Sequence, residues 1–589
     1  MDYRNELDRL LEKAGLCLEG DAICRRNGTR TIKMSNFLVV PSADVEKSDG
    51  CSINRFVAVT VYVCRSGEVI KLDEVTISMA ELNNMEWVWS RWGLLCHIYP
   101  PLNTNKEYLR AAMFELAADL PKKYIYTNTG WCKVQNEYAF AYNGGSVGSR
   151  SITVELESGL GGYRLSEQDF DLVTMENSVK AIFDVAPAKI ILPLIALAFL
   201  SPLNEFFRQA DCEPAFVLYL LGKTQSRKST LAALILSFFG DFTSSKLPMS
   251  FKDTSNALEK KCFILKDVLT VIDDFHPVFS AADKTAMMQK MQSIARGYGD
   301  RCGRSRLRSD MTIIKGNAPR GNVIVTGEDF PDIGESGSAR TFLIEIDRND
   351  IPVTEALNSA QRYAAAGVYS GIMKKYIEWI IPNTPKLSSE LKKLFEHFSE
   401  KALREEIGVN GRAGDIIAWL QVGYIHFQNF IDSLFGRSDM IPSIQKAWEI
   451  FSELTACQKE KSEELSPVKM FLNAVSESLQ SGEIYVTDKN DKPLNKVDLG
   501  AKCVGYFDGG LYYFYPNEIF TIVMQYYKNI GMVYPLSKNR IFKQLAAEQI
   551  IEIETVDGKT NYSKQKRFGN VKIGEHRDVL AKNCTECLE

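Results

Sequence analysis

The sequence predicts an α/β protein built on strands buried on both faces, and three stretches predict it. Ala215–Thr230, AFVLYLLGKTQSRKST, opens with the apolar run Phe216–Leu221, breaks at Gly222 into a polar loop, and continues as a helical pattern from Lys228. Val268–Ile272, VLTVI, is a second run of the same kind and ends in Asp273-Asp274. Thr31–Ser78 instead alternates apolar and polar residues between Ser/Asp/Gly turns, the pattern of half-buried strands.

Strand, loop, Lys-Ser and helix form the anatomy of a phosphate-binding P-loop. Loop amides and the helix N-terminus face the phosphates, Lys228 reaches the β/γ oxygens, and the Ser229 hydroxyl sits on Mg²⁺. Gly222, Thr224, Gln225, Ser226, Arg227, Lys228, Ser229 and Thr230 are therefore the candidate nucleotide-binding residues. The usual spacing is G-x-x-x-x-G-K-[ST], and Arg227 stands where the second glycine is expected. An apolar strand ending in two acids is the Walker B pattern. Asp273 is expected on the Mg²⁺ shell with Ser229, and Asp274 beside the attacking water.

In chain order, residues 1–20 read as a short amphipathic helix carrying Leu7, Leu10, Leu11, Ala14 and Leu16. The alternating strands follow, then a helix near 104–119, then strands over Tyr124–Tyr142. Together these predict a β-rich N-terminal domain over 1–175 with no catalytic constellation. Residues 176–210 read as helical, and the run IILPLIALAFLSPL is too short to span a bilayer and reads as a buried core helix. A helix is expected over 283–296, a third buried strand over Asn322–Val325 ending in Thr326-Gly327-Glu328, and a fourth in TFLIEID after Arg340. Asn410-Gly411-Arg412-Ala413 opens an amphipathic pattern, IIAWLQVGYIHF, and the α/β domain is expected to end near 456. From 457 a polar linker leads to short strands and helices. IFKQLAAEQ followed by IIEIETV, DGKT and NYSKQKRFGNVKI is the outline of a winged helix, with eight basic and four acidic residues over Lys538–Lys572.

Charge excludes a polycation, since the net charge is −4, so nucleic acid must be met by local patches. Arg296–Arg320 carries a net +5 and offers Arg301, Arg304, Arg306, Arg308 and Lys315 for phosphate-backbone contact. A solvated surface hairpin, or a segment facing a neighbour's nucleotide, are the other readings. Met1–Leu16 is charged rather than basic-then-apolar, so a cytoplasmic chain is expected, and the thirteen scattered cysteines fit reduced thiols. The lone Cys584/Cys587 pair does not complete a four-ligand zinc site.

The order GKTQSRKST, VIDDFHP, VTGE, SGSAR and NGRAGDIIAWL resembles the ATPase core of phage- and plasmid-type primase-helicases. It is particularly similar to the Cch helicases of staphylococcal chromosome cassettes, AAA+ proteins related to the MCM replicative helicases. The motif resemblance covers about 210–425, and similarity to the Cch family extends over most of the chain. MCM proteins also lack the second P-loop glycine, usually carrying Ala there, and their Walker B reads I-D-E-F where this chain has Ile272-Asp273-Asp274-Phe275. The resemblance implies sensor 1 at Thr326, where Asn is usual, an arginine finger at Arg340 and sensor 2 at Arg412. It places the basic 296–320 segment at the position of a pore hairpin that grips DNA.

What the resemblance implies is an AAA+ P-loop ATPase core between a β-rich N-terminal domain and a C-terminal winged-helix-like domain. The expected activity is ATP-dependent, Mg²⁺-dependent unwinding of DNA by a ring, a hexamer acting on single-stranded and forked DNA for a mobile genetic element. No membrane partner is expected, and other replication proteins are possible partners. Two alternatives stand: a nucleotide-switched DNA-binding initiator or loader that does not unwind, and a primase-helicase fusion. The second requires a cluster of metal-binding acids that 1–175 does not offer.

Overall fold

The computed structural model describes residues 3–134, 136–148, 152–276, 280–304, 306–307, 313–314, 316–331, 333–407, 411–464, 466–488, 492–494, 500–508, 511–530, 532–551, 554–556, 559–561 and 578–580. The chain forms two compact units, Met1–Thr455 and Ala456–Glu589.

The apolar runs that read as doubly buried strands do form the centre of the first unit. Five parallel strands make one sheet: β1 (Val217–Leu221), β2 (Met249–Ser250), β3 (Leu269–Phe275), β4 (Asn322–Gly327) and β5 (Thr341–Glu345), in the order β2-β3-β4-β1-β5. β4 thus lies between the P-loop strand and the acid strand. All four sheet residues Val217–Leu220 and the whole of β4 are buried, as continuous Val/Ile/Leu runs require. Around the sheet pack helices α1 (Ala188–Leu200), α2 (Lys228–Leu236), α3 (Ala281–Gly299) and α4 (Gly411–Phe435). α1 is buried from Ile190 to Leu200, so its apolar length serves the core, as the sequence predicts.

α4 departs from expectation. Ile416–Phe427 is buried throughout, not amphipathic, because α4 crosses α1 at the very close approach that Gly423 permits. A Cβ there would stand 2.4 Å from the Ala196 carbonyl oxygen.

The N-terminal region is β-rich as expected. Phe37–Ser48 and Ile53–Arg65 pair antiparallel within a six-stranded sheet, and Leu16–Glu19, Ala22–Asn27 and Arg30–Ser35 form a separate three-stranded one. The first helix ends at Lys13, and Leu16 belongs to a strand rather than to the helix. The apolar cores divide earlier than residue 175. Leu7–Leu116 supplies its own core, whereas Trp131, Phe140, Tyr142, Val147 and Tyr163 belong to the core of the central sheet. A buried charge network ties Trp131 to the chain just before β3. Asp267 is fully buried and accepts the Trp131 amide at 3.1 Å, while Lys266 Nζ donates to the Trp131 carbonyl and lies 2.9 Å from Asp267 and from Glu205. Burial raises the Asp267 carboxyl above its ordinary range, against the pull of Lys266 and Arg208.

The second unit holds helices Pro467–Gln480, Pro516–Asn529 and Lys538–Ala547, a four-stranded sheet that includes Lys502–Asp508 and Leu511–Phe514, and the hairpin Glu554–Val556/Lys559–Asn561 after the last helix. Residues 562–577, which the wing reading includes, and Cys584/Cys587 lie outside the described residues.

Candidate nucleotide site

The P-loop leaves the C-terminal end of β1, where open α/β sheets bind ligands. Gly222 is required there: a Cβ would meet Ser226 Oγ at 2.4 Å and the Ile346 carbonyl at 2.8 Å, and its amide donates to the Gly327 carbonyl at 3.0 Å. Gln225 and Arg227 both adopt left-handed backbone, with φ of 70° and 60°. Arg227 therefore takes the conformation the missing glycine would supply easily, as the N-cap of α2. Its guanidinium donates to the Ile351 carbonyl at 2.5 Å, so it is tied to the chain beyond β5.

α2 starts at Lys228, so the first-turn amides of Lys228, Ser229 and Thr230 have no intrahelical acceptor and form an anion-binding end. The Ser226 hydroxyl is buried and has no hydrogen-bond partner among the described residues. Thr224 and Gln225 are exposed at the loop tip.

Because β4 sits between β1 and β3, three far-separated side chains meet at one carboxylate. Asp273 Oδ1 accepts Ser229 Oγ at 2.8 Å and Thr326 Oγ1 at 2.5 Å. Thr326 is fully buried, and its hydroxyl also accepts the Asp274 amide at 3.2 Å. The threonine expected at sensor 1 thus orients the acid pair. Asp274 lies within a register break in the β3–β4 pairing, with φ of 74°, and its carboxylate lies 3.4 Å from His276 Nδ1. The Ser229–Asp273 pair fits a Mg²⁺ site in donor type, one hydroxyl and one carboxylate side by side.

The structure adds two residues that the sequence reading did not select. Glu328 Oε1 accepts Thr224 Oγ1 at 2.5 Å and lies 3.9 Å from Lys228 Nζ. Its signal in the sequence is its place just past the end of a buried strand. Asp300, the residue after α3, gathers both candidate arginines. Arg340 donates to Asp300 Oδ1 through Nε at 3.0 Å and Nη2 at 2.7 Å, and Arg412 Nη2 lies 3.6 Å from the same oxygen. No local pattern marks Asp300. These arginines stand away from the P-loop of their own chain. Val217 donates to the Arg340 carbonyl at 2.8 Å, which puts Arg340 at the N-terminal edge of β1, while the loop leaves after Leu221.

The basic segment divides. Arg301 is corrected from a DNA-contacting residue to a structural one, since its side chain is 12 % exposed and donates to the Pro214 and Gly321 carbonyls, the latter at 2.7 Å. Arg304 is exposed and donates to Ser293 Oγ at 3.1 Å. Arg306 lies in the short hairpin Arg306–Leu307/Ile313–Ile314, and Arg308 and Lys315 lie outside the described residues. Among the described residues no cluster of three His, Cys, Asp or Glu side chains could hold a metal.

Residues 101–306 match a family described as "Domain of unknown function (DUF927)". No curated protein matches the chain. Among solved structures, the chain is similar over 98 % of its length, and 98 % of the other's, to "SCCmec type IV Cch - active helicase", at 13 % identity and a TM-score of 0.60. Weaker likenesses are to the NrS-1 C-terminal region (11 % identity, 91 % of this chain and 95 % of that one, TM-score 0.29) and to JCV helicase (13 %, 43 % and 67 %, TM-score 0.23). The chain is thus a mixed α/β protein that shares its fold with the Cch structure.

Proposed function

We propose that this protein is an ATP-dependent DNA helicase of the AAA+ class that works as a ring, a hexamer, for a mobile genetic element. The observation that carries this reading is the meeting of Ser229, Thr326 and Asp273 at the P-loop end of the sheet, with Arg340 and Arg412 gathered at the other edge. Such a chain holds the nucleotide itself but cannot bring its own arginines to it. A neighbour must supply them, which requires head-to-tail contacts that close. The expected domains are 1–175, 176–456 and a winged-helix-like 457–589, in a cytoplasmic protein.

In this mechanism Lys228 and the α2 amides take the β- and γ-phosphates, as a P-loop lysine and helix N-terminus do. Ser229 and Asp273 would hold Mg²⁺, which supplies charge neutralisation at the phosphates. Thr326 keeps Asp273 turned to Ser229. Arg340 of the adjoining subunit would stabilise the charge developing on the transferred phosphoryl group. Of the five candidates in the basic segment, Arg304 is the one with a described, exposed side chain to meet the DNA backbone.

DNA-stimulated ATP hydrolysis and strand displacement test this reading, with Lys228→Ala as the control. Strand displacement that survives Lys228→Ala would sink the motor assignment. The second reading, a nucleotide-switched initiator or loader, is favoured by one observation: Asp274 sits in a bulge of β3 with its carboxylate beside His276. Binding of ATP with no strand displacement on forked DNA selects that reading.

A further inference from the structure

Glu328 follows the last residue of β4, and its amide donates to the Phe275 carbonyl at 2.8 Å, which fixes it beside the acid strand. From there its carboxylate reaches back over the P-loop to Thr224 Oγ1 at 2.5 Å and to within 3.9 Å of Lys228 Nζ. The lysine that serves the phosphates therefore already faces an anion, and so does a loop hydroxyl. The Glu328 side chain is 30 % exposed, which leaves it room to swing, whereas that of Lys228 is 10 % exposed and held. Asp274, the acid placed by motif, is one methylene shorter, sits within the register break, and turns its carboxylate to His276.

We propose that Glu328 is the carboxylate that orients the attacking water in this site, and that its contact with Lys228 and Thr224 is a resting arrangement displaced by the terminal phosphate of the nucleotide. The proposal rests on the nucleotide-hydrolysis reading above. The terminal phosphate carries more charge than one carboxylate, so an incoming triphosphate takes the lysine from Glu328. The glutamate, anchored through its backbone to Phe275, stays beside Lys228 and so beside the phosphate that the lysine takes. A water between them donates one hydrogen bond to Glu328 and presents its oxygen to phosphorus. That oxygen forms the new P–O bond as the bond from γ-phosphorus to the β–γ bridging oxygen breaks. ADP departs with the electron pair, and the water's proton passes to Glu328 and then to the released phosphate.

The full-length Glu328→Gln variant tests this with ATP, Mg²⁺ and single-stranded DNA, by steady-state hydrolysis and by binding of a fluorescent ATP analogue. The expected result is kcat lower by about a hundred-fold or more with analogue affinity equal to the wild type or tighter, because the neutral amide no longer competes for Lys228. Glu328→Asp should recover part of kcat, and Asp274→Asn should lose less than Glu328→Gln. Hydrolysis by Glu328→Gln within about three-fold of wild type overturns the proposal. So does loss of hydrolysis and affinity together, which marks a mere prop for the P-loop, or a larger loss in Asp274→Asn. Lys228→Ala hydrolysing ATP at the wild-type rate would instead refute the nucleotide-hydrolysis reading itself.

Discussion

Arg227 occupies a glycine's place in the P-loop and adopts a glycine's backbone, with φ of 60°, at a cost on the order of 1 kcal/mol. Its bond to the Ile351 carbonyl offsets part of that cost and ties its guanidinium to the chain beyond β5. Arg227→Ala should therefore bind nucleotide within about three-fold of wild type while losing about 1 kcal/mol of stability. A fluorescence titration and urea unfolding measure the two separately, and a large fall in affinity would return Arg227 to the phosphates. His426, buried in α4, has its pKa lowered by burial to about 4. Its unfolded value is near 6.5, so the unfolded state binds the extra proton between those values and stability falls as pH drops from about 6.5 to about 4. The full effect is roughly 3 kcal/mol. Thermal unfolding across that range should show a shallower acid dependence in His426→Phe than in wild type.

At the scale of elements, sequence patterns located most of the core. β1, β3, β4 and β5 coincide with the four apolar runs within three residues at each end, because a doubly buried strand must be apolar along most of its length. The two-residue β2 carries too little pattern to be read. The α4 misreading has a related cause: whether a long apolar helix exposes one face depends on its neighbours, and here α1 covers it at Gly423. Gly423→Ala forces a Cβ against the Ala196 carbonyl and should cost roughly 1–3 kcal/mol in urea unfolding. The basic segment shows the same limit for charge. Arg304→Ala should weaken DNA binding and reduce the slope of log affinity against log salt by about 1, as loss of one phosphate contact requires. Arg301→Ala should instead lower stability, because it strands the Pro214 and Gly321 carbonyls.

The whole molecule carries the strongest prediction about assembly. Arg340 precedes β5 and the loop at Gly222 follows β1, and the two strands run parallel in register, so about 20 Å of strand separates them. Lys228→Ala and Arg340→Ala should each be inactive alone. Mixed before assembly, about a quarter of the subunit boundaries pair an intact P-loop with an intact arginine, and ATP hydrolysis should recover accordingly. No recovery on mixing would place both residues in one chain's own site. The strand runs, the loop with its Lys-Ser, the acid pair and their order were legible in the sequence, since each is a pattern within a few neighbouring residues. Only the tertiary structure decided what those residues face. Thr326 is turned to Asp273, Arg301 is enclosed by carbonyls, Glu328 is laid over Lys228, and Arg340 and Arg412 are drawn to Asp300. These pairings join residues tens to hundreds of positions apart, and the stacking order of parallel strands, which brings them together, leaves no mark in any local stretch of sequence.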